Sequence, residues 1–546
     1  MRNKKWLKIL VASLLAASAV SMVACGPKDE PAASNSGNGG SVGGSSTVQP
    51  VEPWDETVTG SLNLRVYEAG YGVAWLENVA AGFMQRYPNV EVKVTPTVER
   101  QTIYAESAGG INTKYDAYFL DAMMRNNQDV LVDLSDVYAA TNPGESKTVG
   151  SKINPTFSSV YEGSKNTKFG IPAYTGTYGV VYNTEYVTDF PVTSDGWKAL
   201  CEEIKNDYND MYALIFSGDT GVNYWHPVVD TFVAQYLGLE AYNYMQVGRN
   251  AQGVLDPTVS YDISQLYAAQ AIEDLLWYDN GYIDPLSTGY QYLQAQDEFL
   301  AFGGAAMMVN GSWMMNESET ILEDMNFDFE MAKIPVLSAI IKHADCATIA
   351  NDAELTALIK AIDKGETALS GEGYEVDQKA YDHVKEARDF SYAAGEGSGA
   401  FVPKQIGAER IALAKKFLTY MYSDEGACKL AASNAGCTLP VMDMGDMLLN
   451  AMPDFNPKMA SFLETAYEIC FNSNLLIRMN GRAAISALLE PTTCYEVMFG
   501  SVNANDRTRA TVAYNTKKSI WSANNHAKWY TEMQAKGYAT VENPAV

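Results

Sequence analysis

Between Phe299 and Glu317 the chain reads FLAFGGAAMMVNGSWMMNE, and this stretch restricts the fold more than any other. An amphipathic helix ends near Phe302, and Gly303-Gly304 stops it, because glycine enters the left-handed cap conformation without a Cβ penalty. Ala305 to Val309 is a short apolar run, the pattern of a strand buried on both faces. Asn310-Gly311-Ser312 has the chemistry of a turn leading into a helix N-cap. In an open α/β sheet, ligands bind just beyond the carboxyl ends of the strands, and Trp313 follows such an end directly. Its flat apolar face suits a ligand as well as a core, and the stretch leaves both readings open.

The first 25 residues are not fold. Arg2, Lys4, Lys5 and Lys8 form a basic segment, and the apolar run Ile9 to Val20 is too short to span a bilayer. Met22-Val23-Ala24-Cys25-Gly26 then reads as a small-residue cleavage site with Cys25 as the lipidated residue of a bacterial lipoprotein. Residues 1–24 are expected to be the signal peptide. Residues 25–57, rich in Gly, Ser, Asn and Pro, bury too little apolar surface to order themselves and are expected to be a tether. A G-x-S-x-G match at Gly39 to Gly43 lacks the strand and helix a nucleophile elbow needs. Without residues 1–25 the chain carries 35 basic and 66 acidic residues, a net charge of −31. That balance repels nucleic acid and anionic membranes and favours solubility; with the leader and tether, an exported, tethered, water-soluble monomer is expected. The roughly 490 residues beyond the tether exceed one hydrophobic core, so two lobes are expected.

The first ordered unit is βαβ. Leu62, Leu64 and Val66 alternate as a strand, Leu76, Val79, Ala80 and Phe83 share a helical face, and Val90, Val92 and Val94 alternate again. Tyr118-Phe119-Leu120 forms a further strand ending at Asp121. Glu68, Tyr71, Trp75 and Asp121 therefore follow strand ends on one rim of the sheet. Trp75 fits a core-facing helix position equally well, and Asp121 a helix N-cap. A later strand, Ala213 to Phe216, is followed by Tyr224, Trp225 and His226, again aromatics past a strand end. The four histidines show no H-E-x-x-H or paired spacing, so no metal site is expected. Gly70 and Gly72 lack the third glycine of a dinucleotide fingerprint, and no cofactor is expected. Six cysteines follow Cys25 without C-x-x-C spacing. Cys428 and Cys437 are close enough in sequence to bridge, although buried free thiols are the plainer expectation. Trp521 and Trp529 read as core residues of a terminal helix.

Several motifs, in order, carry a family resemblance. They are FMQRYPNVEV from Phe83, DVLVDLSDVY from Asp129, FGIPAYTGTYGVVYN from Phe169, the Phe299–Trp313 stretch, and AERIALAKKFLTYMYSDEGACKLAASNAGCTLPV from Ala408. Together they resemble the family 1 extracellular solute-binding proteins, the maltose-binding-protein-like capture subunits of ABC importers. The resemblance implies a two-lobed α/β fold of the periplasmic-binding-protein type, with a ligand cleft between lobes joined by about three hinge crossings. It implies lobe 1 at 58–172 and 338–437 and lobe 2 at 173–337 and 438–546, with crossings near Tyr174, Pro335 and Leu439. Trp313 would stack on the ligand, Tyr174 would lie at the cleft base, and Arg478 would reach the cleft from a second-lobe loop. Residues 351–398 are an acidic excursion of no legible role.

The expected ligand is a sugar, in particular an oligosaccharide. The 34 Tyr and 9 Trp supply flat faces for pyranose C–H surfaces, and the candidate positions carry acids rather than the basic cluster an anionic ligand would want. The resemblance further implies delivery to ABC permease subunits at the outer face of the cell membrane, without catalysis. The alternatives are a surface glycosidase, which needs two carboxylates at fixed separation, and a binding protein for a non-sugar solute.

Overall fold

The computed structural model describes most of residues 54–433, the chief breaks falling at 109–113, 164–166, 219–222, 322–327 and 394–397. Beyond these it describes 441–442, 444, 447, 450, 462, 465–469, 474–476, 508–520 and 523–535. Cys25, the tether as far as residue 53, Cys437, Leu439, Arg478 and Trp521 lie outside the described residues, whereas Trp54, expected within the tether, packs edge-on against Tyr87 and Tyr420 at 5.7 and 5.6 Å. The strands in chain order are β1 (Thr59–Tyr67), β2 (Asn89–Thr97), β3 (Ala117–Asp121), β4 (Ile171–Tyr174), β5 (Tyr178–Asn183), β6 (Tyr212–Ile215), β7 (Ala305–Gly311) and β8 (Phe329–Ala332). They continue with β9 (Ser370–Gly371), β10 (Tyr374–Glu375), β11 (Phe390–Tyr392), β12 (Ser398–Phe401) and β13 (Asn474–Leu476).

The βαβ pattern folds as expected. Leu62, Leu64 and Val66 point from β1 into a core that receives Leu76, Val79, Ala80 and Phe83 from the helix Ala74–Arg86. The sheet runs β2-β1-β3-β12-β4, with β1 parallel to both neighbours and β12 antiparallel to β3 and β4. Buried Asp116 accepts the Asn63 N–H at 2.6 Å and pairs with Arg410, which ties the start of β3 to the helix Ala408–Met421.

The second sheet runs β6-β7-β5-β8. Every residue of β7 is buried. Ala306, Met307 and Val309 enter one core and Ala305 and Met308 the other, which is why this run lacks alternation. Gly303 takes φ +61 in the connection before β7, the left-handed conformation expected of the helix stop. Strand β7 extends two residues beyond Val309, through Asn310 and Gly311, because these pair with Gly179 and Tyr178 of β5. Ser312 caps no helix. Its N–H donates to Thr177 O at 3.0 Å and its Oγ accepts the Thr177 N–H at 3.3 Å.

Two chain segments cross side by side between the sheets. One runs from β4 to β5 through Thr175-Gly176-Thr177. The other runs from β11 to β12, with Ala393 bridging Thr177 and Ser398 pairing with Tyr174. The expected crossing at Pro335 is not one. Pro335 O accepts from buried Gln235, and the chain stays beside the second sheet. Residues 338–389 accordingly do not return to the first lobe. They build a core of their own from Ile340, Cys346, Leu355, Leu358, Tyr374, Tyr381 and Val384, which also takes in Val192. Thr193–Asp352 and Ser194–Ser338 hydrogen bonds fasten that core to the start of the helix Ser194–Asp207. The return to the first sheet comes at β12. A later passage falls between Met442, in the first core, and Phe462, packed under the second sheet.

Candidate functional site

The carboxyl ends of β1, β3 and β4 share one rim of the first sheet, and those of β6 and β7 share one rim of the second. The chain enters β5 at that second rim, because Tyr178 pairs with Gly311. Aromatic rings collect where the rims meet. Tyr71, in the loop after β1, lies 4.8 Å from Tyr174 at the end of β4 and 5.4 Å from Trp313 of the other lobe. Trp313 meets Tyr178 edge-on at 4.8 Å and Tyr224, in the 3-10 turn after β6, at 6.2 Å. Tyr392 of β11 closes the group at 5.9 Å from Tyr178. Trp313 is only 7% exposed, so it does not stand open at a cleft mouth. Tyr71 covers it from across the interface.

Three glycines permit this approach. A Cβ at Gly311 would collide with the Trp313 ring that folds back over it, and one at Gly70 with the Glu317 carboxylate. At Gly176 a Cβ would meet the Tyr71 hydroxyl at 2.5 Å and Ser312 Oγ at 2.6 Å. The loop is also held by Asn316, whose Nδ2 donates to Gly70 O at 2.7 Å. Burial raises the Glu317 carboxyl to about 7, against the opposing effect of its 2.6 Å hydrogen bond from Gln296 Nε2. Burial also pushes the Tyr178 and Tyr224 phenols well above their ordinary range. The site thus offers aromatic rings meeting at tilted and edge-on angles, hydroxyls and one acid poised near neutrality.

The model of the bacterial extracellular solute-binding protein family matches residues 67–345, more than half of the 546-residue chain. The chain belongs to that family. Among curated proteins none matches it. Solved structures of the two-lobed fold do. A family 1 extracellular solute-binding protein from Bifidobacterium longum subsp. infantis aligns with TM-score 0.51 at 16% identity, over 87% of this chain and 99% of that one. Maltose-bound MalE3 of T. maritima aligns with TM-score 0.55 at 16% identity, over 84% and 99%. A cycloalternan-bound ABC substrate-binding protein of Listeria monocytogenes aligns with TM-score 0.55 at 13% identity, over 88% and 100%. Among the described residues no helix is long and apolar enough to cross a membrane.

In this solute-binding protein the interlobe rims bring together four of the expected contact residues: Tyr71, Tyr174, Tyr224 and Trp313. Others sit elsewhere. Trp225 is fully buried and stacks on Trp197 at 5.6 Å and 12° in the second-lobe core. Trp75 is also fully buried, edge-on to Phe119, and reaches the rim only through its 4.8 Å contact with Tyr174. Glu68 is exposed after β1. The backbone of Asp121 ends β3 and, like Tyr174, pairs with Ser398, one strand away. Sequence reasoning missed Tyr178, Tyr392 and Glu317. Tyr178 opens its strand instead of following one, so a pattern of aromatics past strand ends does not reach it.

Proposed function

We propose that the chain is a lipid-anchored capture protein that binds a sugar, in particular an oligosaccharide, between its lobes and hands it to an ABC permease. The observation that carries this reading is the ring group Tyr71, Tyr174, Tyr178, Tyr224 and Trp313, drawn from both lobes at the strand ends. Aromatic rings flanked by hydroxyls suit pyranose rings, whose C–H surfaces are apolar and whose rims hydrogen-bond. Neighbours whose ligands are maltose, raffinose and cycloalternan support the sugar class. A ligand touching both lobes favours whichever arrangement it binds better, which supplies the signal a permease reads. Arg478 and Asp121 belong to this reading as further ligand contacts.

A thermal-shift screen over an oligosaccharide panel tests the reading. A sugar at 100 times Kd is expected to add roughly 2.7 kcal/mol of stability and to be recovered intact. A panel that shifts nothing contradicts the sugar class, and turnover favours a glycosidase. Anchoring at Cys25 is tested separately. Cys25→Ala is expected to release the protein or leave it unprocessed, since stable anchoring needs more than one acyl chain. Undiminished membrane retention of that variant would refute the anchor.

A further inference from the structure

A second cluster of chemistry-bearing side chains lies outside the cleft, in the excursion between β8 and β11. His343 caps the short turn Ala344–Cys346, its Nδ1 accepting the Asp345 N–H at 3.2 Å. His383 comes from the helix Gln378–Asp389, and its ring lies 4.4 Å from that of His343. Both Nδ1 atoms face one carboxylate, with Asp345 Oδ2 at 3.6 Å from His343 and 3.8 Å from His383. One ligand atom from each of the three residues falls within 4.8 Å of the others.

The tautomer of His383 is fixed from behind. Its Nε2 lies 3.1 Å from Gln235 O, and a carbonyl only accepts, so Nε2 carries the proton. A neutral His383 therefore turns the Nδ1 lone pair toward the Asp345 carboxylate. Two electron-rich groups facing each other are repulsive unless a proton or a metal cation stands between them. The carbonyl is itself held in place, because buried Gln235 donates to Pro335 O at 3.2 Å and accepts the Leu337 N–H at 2.8 Å. An imidazole whose other N–H is bound to a backbone carbonyl is the usual arrangement behind a metal ligand, and it raises ligand basicity.

We propose that His343, Asp345 and His383 bind a divalent transition-metal ion of the Zn²⁺ class, independently of the sugar site. Two imidazoles and one carboxylate match Zn²⁺, with a fourth position left for water, whereas Ca²⁺ and Mg²⁺ want oxygen ligands throughout. Asp345 is 47% exposed at its side chain, which gives the ion a path in. Ligands at about 2 Å from one ion sit closer together than these groups do, so binding draws them inward by roughly an ångström. Coordination through His343 Nδ1 also exchanges its bond to the Asp345 N–H for the ion. The ion would pin the turn Ala344–Cys346 to the helix Gln378–Asp389, and through Gln235 to the second lobe. The sequence concealed the trio because His383 is remote from the His343–Asp345 pair along the chain.

The test is equilibrium dialysis of the full mature chain, without a histidine tag and stripped by chelator, against Zn²⁺ alone. One Zn²⁺ per chain is expected, weakened at least tenfold in Asp345→Asn and in His383→Gln and retained in His526→Gln. No saturable Zn²⁺ on the wild type, or an equivalent that survives in both cluster variants, overturns the proposal. A readout free of variants guards against misfolding. Carbethoxylation of His343 and His383, mapped by mass spectrometry on the wild type, is expected to slow when Zn²⁺ is added. Unchanged modification would equally overturn it.

Discussion

Glu317 is the residue at which the interface is most sensitive to solution conditions. Its carboxyl is raised to about 7 from an ordinary 4.5 because it is half-buried and desolvated beside Gly70 and Trp313. A raised folded-state pKa means that the protonated acid is the stabilising form. The stability it contributes is full below about 4.5 and is lost as pH rises through about 7. Each pH unit between the two values is worth about 1.4 kcal/mol, so the loss approaches about 3 kcal/mol, less whatever solvent screening removes. Glu317→Gln is expected to abolish this dependence. Urea melts of both proteins at pH 5 and pH 8 check it: the variant should gain on the wild type at pH 8, and an equal difference at both pH values sinks the assignment. Other residues show where sequence reading reaches its limit. Trp313 and Trp225 both follow strand ends, yet one lies in the interlobe ring group and the other stacks on Trp197 in a core. Which way a ring turns after a strand depends on what packs behind it, and the chain positions of Trp197 and Tyr71 do not announce that. The glycines misled in a similar way. Gly311 reads as a turn residue but is strand, free of a side chain because the Trp313 ring occupies that space.

At the scale of elements, local period was a sound guide. The β1–helix–β2 unit and the doubly buried β7 fold as their patterns require, since alternation and apolar runs are set by which faces are covered. The crossings were less legible. Ile334-Pro335 looks like a hinge, but the chain remains on the second lobe until β11, because residues 338–389 carry enough apolar side chains for a separate core. An acidic surface hid that core from a reading based on composition. Leu358 is fully buried in it. Leu358→Ala is expected to cost about 2–5 kcal/mol, concentrated locally, so that amide exchange rises across 338–389 more than in β5 or β7. Sugar affinity should stay within about twofold, since no ring of the interlobe group belongs to this core. Uniform acceleration of exchange throughout the second lobe would show that the excursion is not a separate unit.

For the whole molecule, two sheets with separate cores are joined by strand-like crossings, and their facing rims share one aromatic group. In such a molecule a ligand entering between the lobes competes with contacts the lobes already make: Tyr71 covers Trp313 from across the interface. The family was legible because its motifs sit at the crossings and strand ends that define the fold, whereas the identity of the ligand depends on side-chain placements that no motif records. The most direct test is titration calorimetry with the best-binding oligosaccharide of the panel on the wild type and Trp313→Ala. One intact sugar per chain is predicted for the wild type. The variant should lose over ~2 kcal/mol of binding free energy, more than tenfold in Kd. Unchanged affinity in the variant would contradict the account and assign Trp313 to packing alone.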